Sequence, residues 1–245
     1  MTLGIIGGLG PAATVYFLDL ITRMTDASSD GEHLEILLHS IPSTPDRTAY
    51  ILGKSPHSPL PRIIEAGQGL VGQGARVIAS PCMTAHAFHS ELQRNISVPI
   101  LNGITLTAKA LQTAGITRAG IMATDGTVQT GLFQRELCDH RIKAVLPSDR
   151  SQEAVMSLIY DDVKTGSPVD MNKFEKVKDE LKENGAQCII LGCTELSLIK
   201  RDTDIGDGFA DAMEILAWHS VTRCSKRARV PYSQLVTRFK EQQCN

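Results

Sequence analysis

Gly74-Ala75-Arg76-Val77-Ile78-Ala79-Ser80-Pro81-Cys82-Met83-Thr84 aligns without gaps on Gly185-Ala186-Gln187-Cys188-Ile189-Ile190-Leu191-Gly192-Cys193-Thr194-Glu195. Each segment carries a glycine-alanine turn at the end of a helical stretch, then a short apolar run, then a cysteine at the run's carboxyl end. The openings of the two halves correspond more loosely, Gly4-Ile5-Ile6-Gly7-Gly8 with Gly120-Ile121-Met122-Ala123-Thr124, each run meeting a turn and then a helix. The chain therefore reads as a duplicated unit. Short apolar runs that alternate with stretches of helical period place it in the α/β class, with mainly parallel sheets in two pseudo-symmetric lobes.

Strands are expected at Leu3–Ile6, Leu34–Leu38, Val77–Ala79, Ala119–Met122 and Cys188–Leu191. Helices are expected at Ala12–Met24, Pro61–Gln73, Thr105–Thr113, Gln152–Lys164 and Phe174–Asn184, with Gly74 and Gly185 as helix stops. A crossover near Asn102-Gly103 and a return near Gly206–Gly208 divide the chain. Residues 1–103 with 208–230 form the first lobe, residues 104–207 the second, and residues 231–245 a C-terminal tail. The last helix, Ala212–Arg223, then packs back on the first lobe. Ligands of open parallel sheets bind outside the carboxyl ends of the strands, so two lobes facing each other bring Cys82 and Cys193 to one cleft from opposite sides.

The balance of 25 Lys and Arg against 27 Asp and Glu, a formal charge of −2, gives no concentrated basic face for nucleic acid or an acidic membrane. The late cluster of Arg223, Lys226, Arg227 and Arg229, with Arg238 and Lys240, reads as a solvated tail. Met1-Thr2-Leu3-Gly4-Ile5-Ile6 enters a strand without a basic leader, and no apolar stretch approaches the roughly 20 residues of a membrane span. The six cysteines show no tight disulfide or zinc-finger spacing and are expected reduced in a cytoplasmic protein. Taken singly, any of them reads as a small buried apolar side chain. The internal equivalence is what singles out two.

Cys82-Met83-Thr84-Ala85-His86 and Gly192-Cys193-Thr194-Glu195-Leu196 each place a thiol before a helix start. Backbone N–H groups there favour an anion and can bind a carboxylate. Gly7-Gly8-Leu9-Gly10-Pro11 lacks the full dinucleotide spacing and reads instead as a turn in which Gly8 and Leu9 bring backbone close to a small ligand. Arg47 can grip a carboxylate bidentately, although alone it reads as an exposed loop charge. Lys164 likewise reads as a basic residue at a helix end. The hydroxyls of Thr124 and Thr127 sit in a turn that can take a carboxylate or amine, or simply close the turn. His86 and Glu195 can each orient a thiol. A zinc site drawn from Cys82, His86 and Cys193 ranks below metal-free chemistry, because paired cysteines suit two equivalent bases better.

At these residues the chain resembles the aspartate/glutamate racemase family, its aspartate branch in particular. The motifs are Gly7–Pro11, Asp46-Arg47-Thr48, Cys82–His86, Thr124–Thr127, Lys164 with Gly166, and Gly192–Leu196. They occur in family order up to about Arg229. The resemblance implies a two-lobed, commonly homodimeric enzyme that racemises a small amino acid with no pyridoxal phosphate, metal or other cofactor. Cys82 and Cys193 would be the acid and base. Arg47 and Lys164 would hold the side-chain carboxylate, and Thr84, Thr127 and Thr194 would place the α-carboxylate and amine. One departure is that Met83 stands where the family usually has a substrate-binding Asn. The rival readings are a cysteine-dependent decarboxylase or cis–trans isomerase of a dicarboxylate, and a non-catalytic amino-acid binder.

Overall fold

The computed structural model describes residues 1–240, so Cys244 and the last part of the expected tail lie outside the described residues. Two parallel sheets form the centre. The first holds β1 (Leu3–Gly7), β2 (Ile36–Ser40) and β3 (Val77–Ala79) in the order β2-β1-β3. The second holds β4 (Arg118–Met122), β5 (Lys143–Val145), β6 (Cys188–Leu191) and β7 (Phe209–Asp211) in the order β5-β4-β6-β7. The expected α/β class with parallel sheets is what the chain adopts. Residues of β1, β3, β6 and β7 are buried throughout, as strands covered on both faces must be.

The duplication extends into the packing. Gly4 lies in register with Ile78, and Gly120 with Ile189. A Cβ added at Gly4 would meet Ile78, Ala75 and Leu70; one added at Gly120 would meet Ile189, Ala186 and Leu181. These are the same three partners under the sequence alignment. The helices α3 (Leu60–Gly72) and α9 (Met171–Glu183) close alike as well. Ala75 N–H donates to Leu70 C=O and Ala186 N–H to Leu181 C=O, each at 3.0 Å, across glycines with φ of 108° and 86°. The repeat preserves the contact that lets each helix lie close on its sheet.

Three expectations change. Strands β5 and β7 do not show as apolar runs because β5 begins on Lys143 and β7 ends on Asp211. The expected helix Gln152–Lys164 is instead α8 (Asp149–Ser157) followed by a π-helical segment at Leu158–Val163, a widened turn that aims Tyr160 and Lys164 at the cleft. The return at Gly206–Gly208 first adds β7 beside β6 in the second sheet; only then does α11 (Ala212–Arg223) pack on α1 (Pro11–Met24) and α5 (Gly103–Thr113).

The basic residues read as a solvated tail are tied down in part. Arg227 meets Asp26 at 3.3 Å, Arg238 donates to Ala114 C=O at 2.9 Å, and Lys240 meets Asp207 at 3.4 Å. Val236 forms an antiparallel bridge with Ala210, so the tail covers the edge that β7 would otherwise expose.

Candidate active site

The carboxyl ends of β1, β3 and β6 deliver the principal groups. β1 runs into Gly8, whose φ is 81°; a Cβ there would lie 2.3 Å from Ile41 N, so only glycine fits. Its N–H donates to Thr14 Oγ1 at 2.8 Å, which fixes the turn leading to Leu9. β3 leads through Ser80-Pro81 to Cys82, and β6 through Gly192 to Cys193. The two cysteines differ locally. Cys193 is the N-cap of an α-helix, α10 (Thr194–Asp202), whereas Cys82 precedes a 3-10 segment, Met83–Phe88, in place of the expected α-helical start.

Both thiols line one cavity, together with Leu9, Asp46, Arg47, Thr48, Met83, Thr84, Thr124, Tyr160, Lys164, Thr194 and Glu195. The two cysteines are each 8 % exposed, and the free space between the lining groups is ≈ 20 Å³, room for about one water.

Arg47 is not the exposed loop charge its local sequence suggests. Asp46 caps α2 (Arg47–Ile51) by accepting from Ala49 N–H at 2.7 Å, which turns Arg47 inward at the first helical position. Its Nη2 donates to Leu9 C=O at 2.6 Å and its Nη1 to Pro45 C=O at 3.2 Å, while Nε is buried without a partner. Burial works against its charge, but the neighbouring Cys82, then Asp46 and Tyr160, hold the guanidinium above its usual range.

Lys164 lies across the cavity with Nζ 3.6 Å from the Tyr160 ring centroid and 3.9 Å from Asp46 Oδ2. Burial again opposes its charge, and Glu195, Tyr160 and Cys193 together raise its pKa. Tyr160 also donates to Asp46 Oδ2 at 3.4 Å, tying the π-helical segment to the loop before α2. Tyr160 and Asp46 were not anticipated as site residues. The signal available was the spacing of Tyr160 four residues before Lys164, which puts both on one helical face.

Thr84, Thr124 and Thr127 form a closed triangle of hydroxyls, with Oγ1 separations of 3.0, 3.0 and 3.1 Å. Thr84 comes from the first sheet's side and the other two from the turn after β4, so the triangle bridges the lobes. Thr127 is fully buried behind the cavity wall. Met83 packs its thioether on Gly103, where an added Cβ would lie 2.9 Å from both Sδ and Cε.

The two residues expected to orient thiols behave differently. His86 faces Ser80 C=O at 3.2 Å and so clamps the turn carrying Cys82 rather than the thiol itself. Burial, then the nearby His89, lower its pKa to about 4, leaving the ring neutral. Glu195 does reach a thiol: Cys193 Sγ donates to its Oε2 at 2.8 Å, and Thr194 Oγ1 donates to the same oxygen at 3.0 Å. Burial and then the Glu195 charge push the Cys193 thiol well above its ordinary pKa. Among the described residues no three His, Cys, Asp or Glu side chains gather as a metal site.

The model of the Asp/Glu/hydantoin racemase family matches residues 6–219, which spans both sheets and every residue of this cavity. The chain belongs to this racemase family. The broad specificity amino-acid racemase RacX of Bacillus subtilis (strain 168) is 29 % identical over 205 residues, 80 % of this chain and 86 % of that protein. Among solved structures, the Picrophilus torridus aspartate racemase superposes with a TM-score of 0.85 at 31 % identity, covering 96 % of this chain and 98 % of its own. A glutamate racemase of Bacillus anthracis, RacE1, shares the fold with a TM-score of 0.59 at 17 % identity, covering 92 % of this chain and 81 % of its own. This family member is accordingly an isomerase, and among its described residues no helix is long and apolar enough to cross a membrane.

Proposed function

We propose that the protein interconverts L- and D-aspartate, with glutamate as a second substrate, by proton transfer between Cys82 and Cys193 without a cofactor. The observation that carries this reading is the meeting of two structurally equivalent strand-end thiols in one buried cavity that also holds Arg47 and Lys164. One thiolate removes the α-proton from one face, and the thiol opposite returns a proton to the other. Arg47, already pinned by Leu9 and Pro45, and Lys164 receive the side-chain carboxylate. The threonine triangle opens to donate hydroxyls to the α-carboxylate, where Thr194 N–H, at the start of α10, adds to the stabilisation of developing enolate charge.

An amino acid does not fit into ≈ 20 Å³, so substrate enters with the lobes parted and closure expels water from around the thiols. The tie between Asp46, Tyr160 and Lys164 is the contact that must break and re-form. Met83 leaves the family's usual Asn side chain unreplaced, so backbone and hydroxyl groups take over recognition there. A one-methylene difference is worth only ~1–3 kcal/mol in such a pocket, which makes glutamate a reasonable second substrate.

Racemisation by thiols needs reduced cysteines. Cys82, Cys138, Cys188, Cys193 and Cys224 are all unpaired, in keeping with a cytoplasmic enzyme. We further assign a homodimer to the face of α1 and the edge strand β2, where Val15 and Leu38 are 68 % and 41 % exposed. The test of the function is a panel of D- and L-amino acids in D2O without added cofactor. Aspartate is expected to gain α-deuterium and lose optical activity. Exchange at similar rates across amino acids without a side-chain carboxylate would reject the dicarboxylate assignment, and ligand stabilisation without any exchange would favour a binder.

A further inference from the structure

A two-thiol racemase finishes each turnover with its proton on the wrong cysteine. If Cys82 starts as thiolate and Cys193 as thiol, the cycle leaves Cys82 protonated and Cys193 ionised. The same enantiomer cannot react again until one proton has moved back across the cleft. We propose that Glu195 carries this returning proton, a role that rests on the two-thiol reading above and concerns the free enzyme between turnovers.

Three observations support it. Glu195 is 5 % exposed and its Oε2 contacts Cys193 Sγ directly, at 2.8 Å, so it touches a reacting atom. It lines the same cavity as Cys82, across a space that holds about one water. The other carboxylate on that cavity, Asp46, is occupied elsewhere, by Ala49 N–H, Tyr160 and Lys164. The two ends of the path also differ in their neighbours: Arg47 lies beside Cys82, whereas Cys193 stands against the Glu195 carboxylate.

The transfer balances as follows. The S–H bond of Cys82 breaks, its proton passes through the cleft water, and an O–H bond forms on Glu195. That O–H bond then breaks as the S–H bond of Cys193 forms. One proton has moved, the total charge is unchanged, and the thiolate stands again beside Arg47. For the opposite enantiomer the path runs in reverse.

The test is Glu195→Gln, which keeps the side chain's length and can still accept from Cys193 but cannot carry a proton. A defect confined to the free enzyme lowers kcat and KM together. We expect kcat to fall about tenfold or more, with kcat/KM within about twofold of the parent enzyme. In an equilibrated mixture of labelled enantiomers, a pulse of one unlabelled enantiomer should drive label transiently against the net flow. A fall in kcat/KM matching that in kcat, or no change in either, without this counterflow, would overturn the relay. If melting shows Glu195→Gln to be unfolded, Glu195→Ala with added formate decides: kcat must recover at constant kcat/KM, and no recovery rejects the proposal. Absence of α-deuteration by the parent enzyme would instead reject the two-thiol reading, whereas exchange by the parent with an unaltered variant rejects the relay alone.

Discussion

Cys193 Sγ donates to Glu195 Oε2 at 2.8 Å, while Cys82, its equivalent in the repeat, faces the guanidinium of Arg47. Two residues that align in sequence thus sit in opposite electrostatic settings. The repeat supplies matched positions, and the residues around them supply a polarity.

Replacing either thiol should abolish racemisation while sparing part of the exchange chemistry. Cys82→Ser and Cys193→Ser are each expected to lose about 10²-fold or more in kcat. Each should still exchange the α-proton of the enantiomer presented to the surviving thiol. Circular dichroism of the substrate reports the first effect and α-deuteration in D2O the second. A fully active single variant would sink the two-base reading.

Arg47 should matter for dicarboxylates and for the cleft itself. Arg47→Ala removes a carboxylate partner and leaves Leu9 C=O and Pro45 C=O without their donor. We expect kcat/KM for aspartate to drop about 10²-fold or more, and far more than for alanine; Arg47→Lys should restore little, because one ammonium cannot span both carbonyls and a substrate. Equal losses on aspartate and alanine would mean that Arg47 does not read the side-chain carboxylate.

Stability should fall on mild acidification through His86. Its pKa is about 4 when folded and about 6.5 when unfolded, so between these values the unfolded chain binds more protons. Folding is therefore favoured as pH rises through that window, and the contribution is lost as pH falls from about 6.5 towards 4, on the order of 3 kcal/mol in all. Urea titrations at pH 7 and 5 would show it. His86→Gln, which does not titrate but can donate to Ser80 C=O, should flatten the slope; an unchanged slope would remove His86 as its source.

Deleting residues 231–245 should destabilise the second sheet. Thr237 N–H donates to Phe209 C=O and Phe239 N–H to Gln187 C=O, both at 3.0 Å, and the Phe239 ring covers Gly208. Their loss exposes the edge of β7. We expect a loss of about 2 kcal/mol, roughly 4–8 °C in Tm for a chain of this size, and concentration-dependent aggregation. Thermal scans with light scattering test both, and an unchanged Tm would show the tail to be dispensable.

Leu38→Glu should dissociate the proposed homodimer, since it places a charge on the exposed edge strand beside α1. Light scattering on the parent and the variant is the measurement. A parent that is monomeric at all concentrations would reject this face as the interface.

Much of the fold could be read from the chain alone because its signals are local. The runs at β1, β3, β4 and β6 are apolar, bounded by turns and repeated. Gly74 and Gly185 mark helix ends because a left-handed turn needs glycine. Strands β5 and β7 escaped because Lys143 and Asp211 break their short apolar patterns, and their neighbours in the sheet hold them in place. The π-helical segment at Leu158–Val163 escaped because its sequence also suits a regular helix.

The α/β class, the repeat and the two cysteines that stand out from the rest are legible in the chain alone. Those follow from periodicity and alignment, which need no knowledge of what lies across the cleft. It takes the folded chain to show that Arg47 is buried against Leu9, that Tyr160 ties Lys164 to Asp46, that His86 serves a backbone carbonyl, and that Glu195 holds Cys193. Each of these pairings, apart from the last two, joins residues far apart in the chain. All of them depend on side-chain direction and on charges brought together at low exposure, which strand and helix signals do not specify.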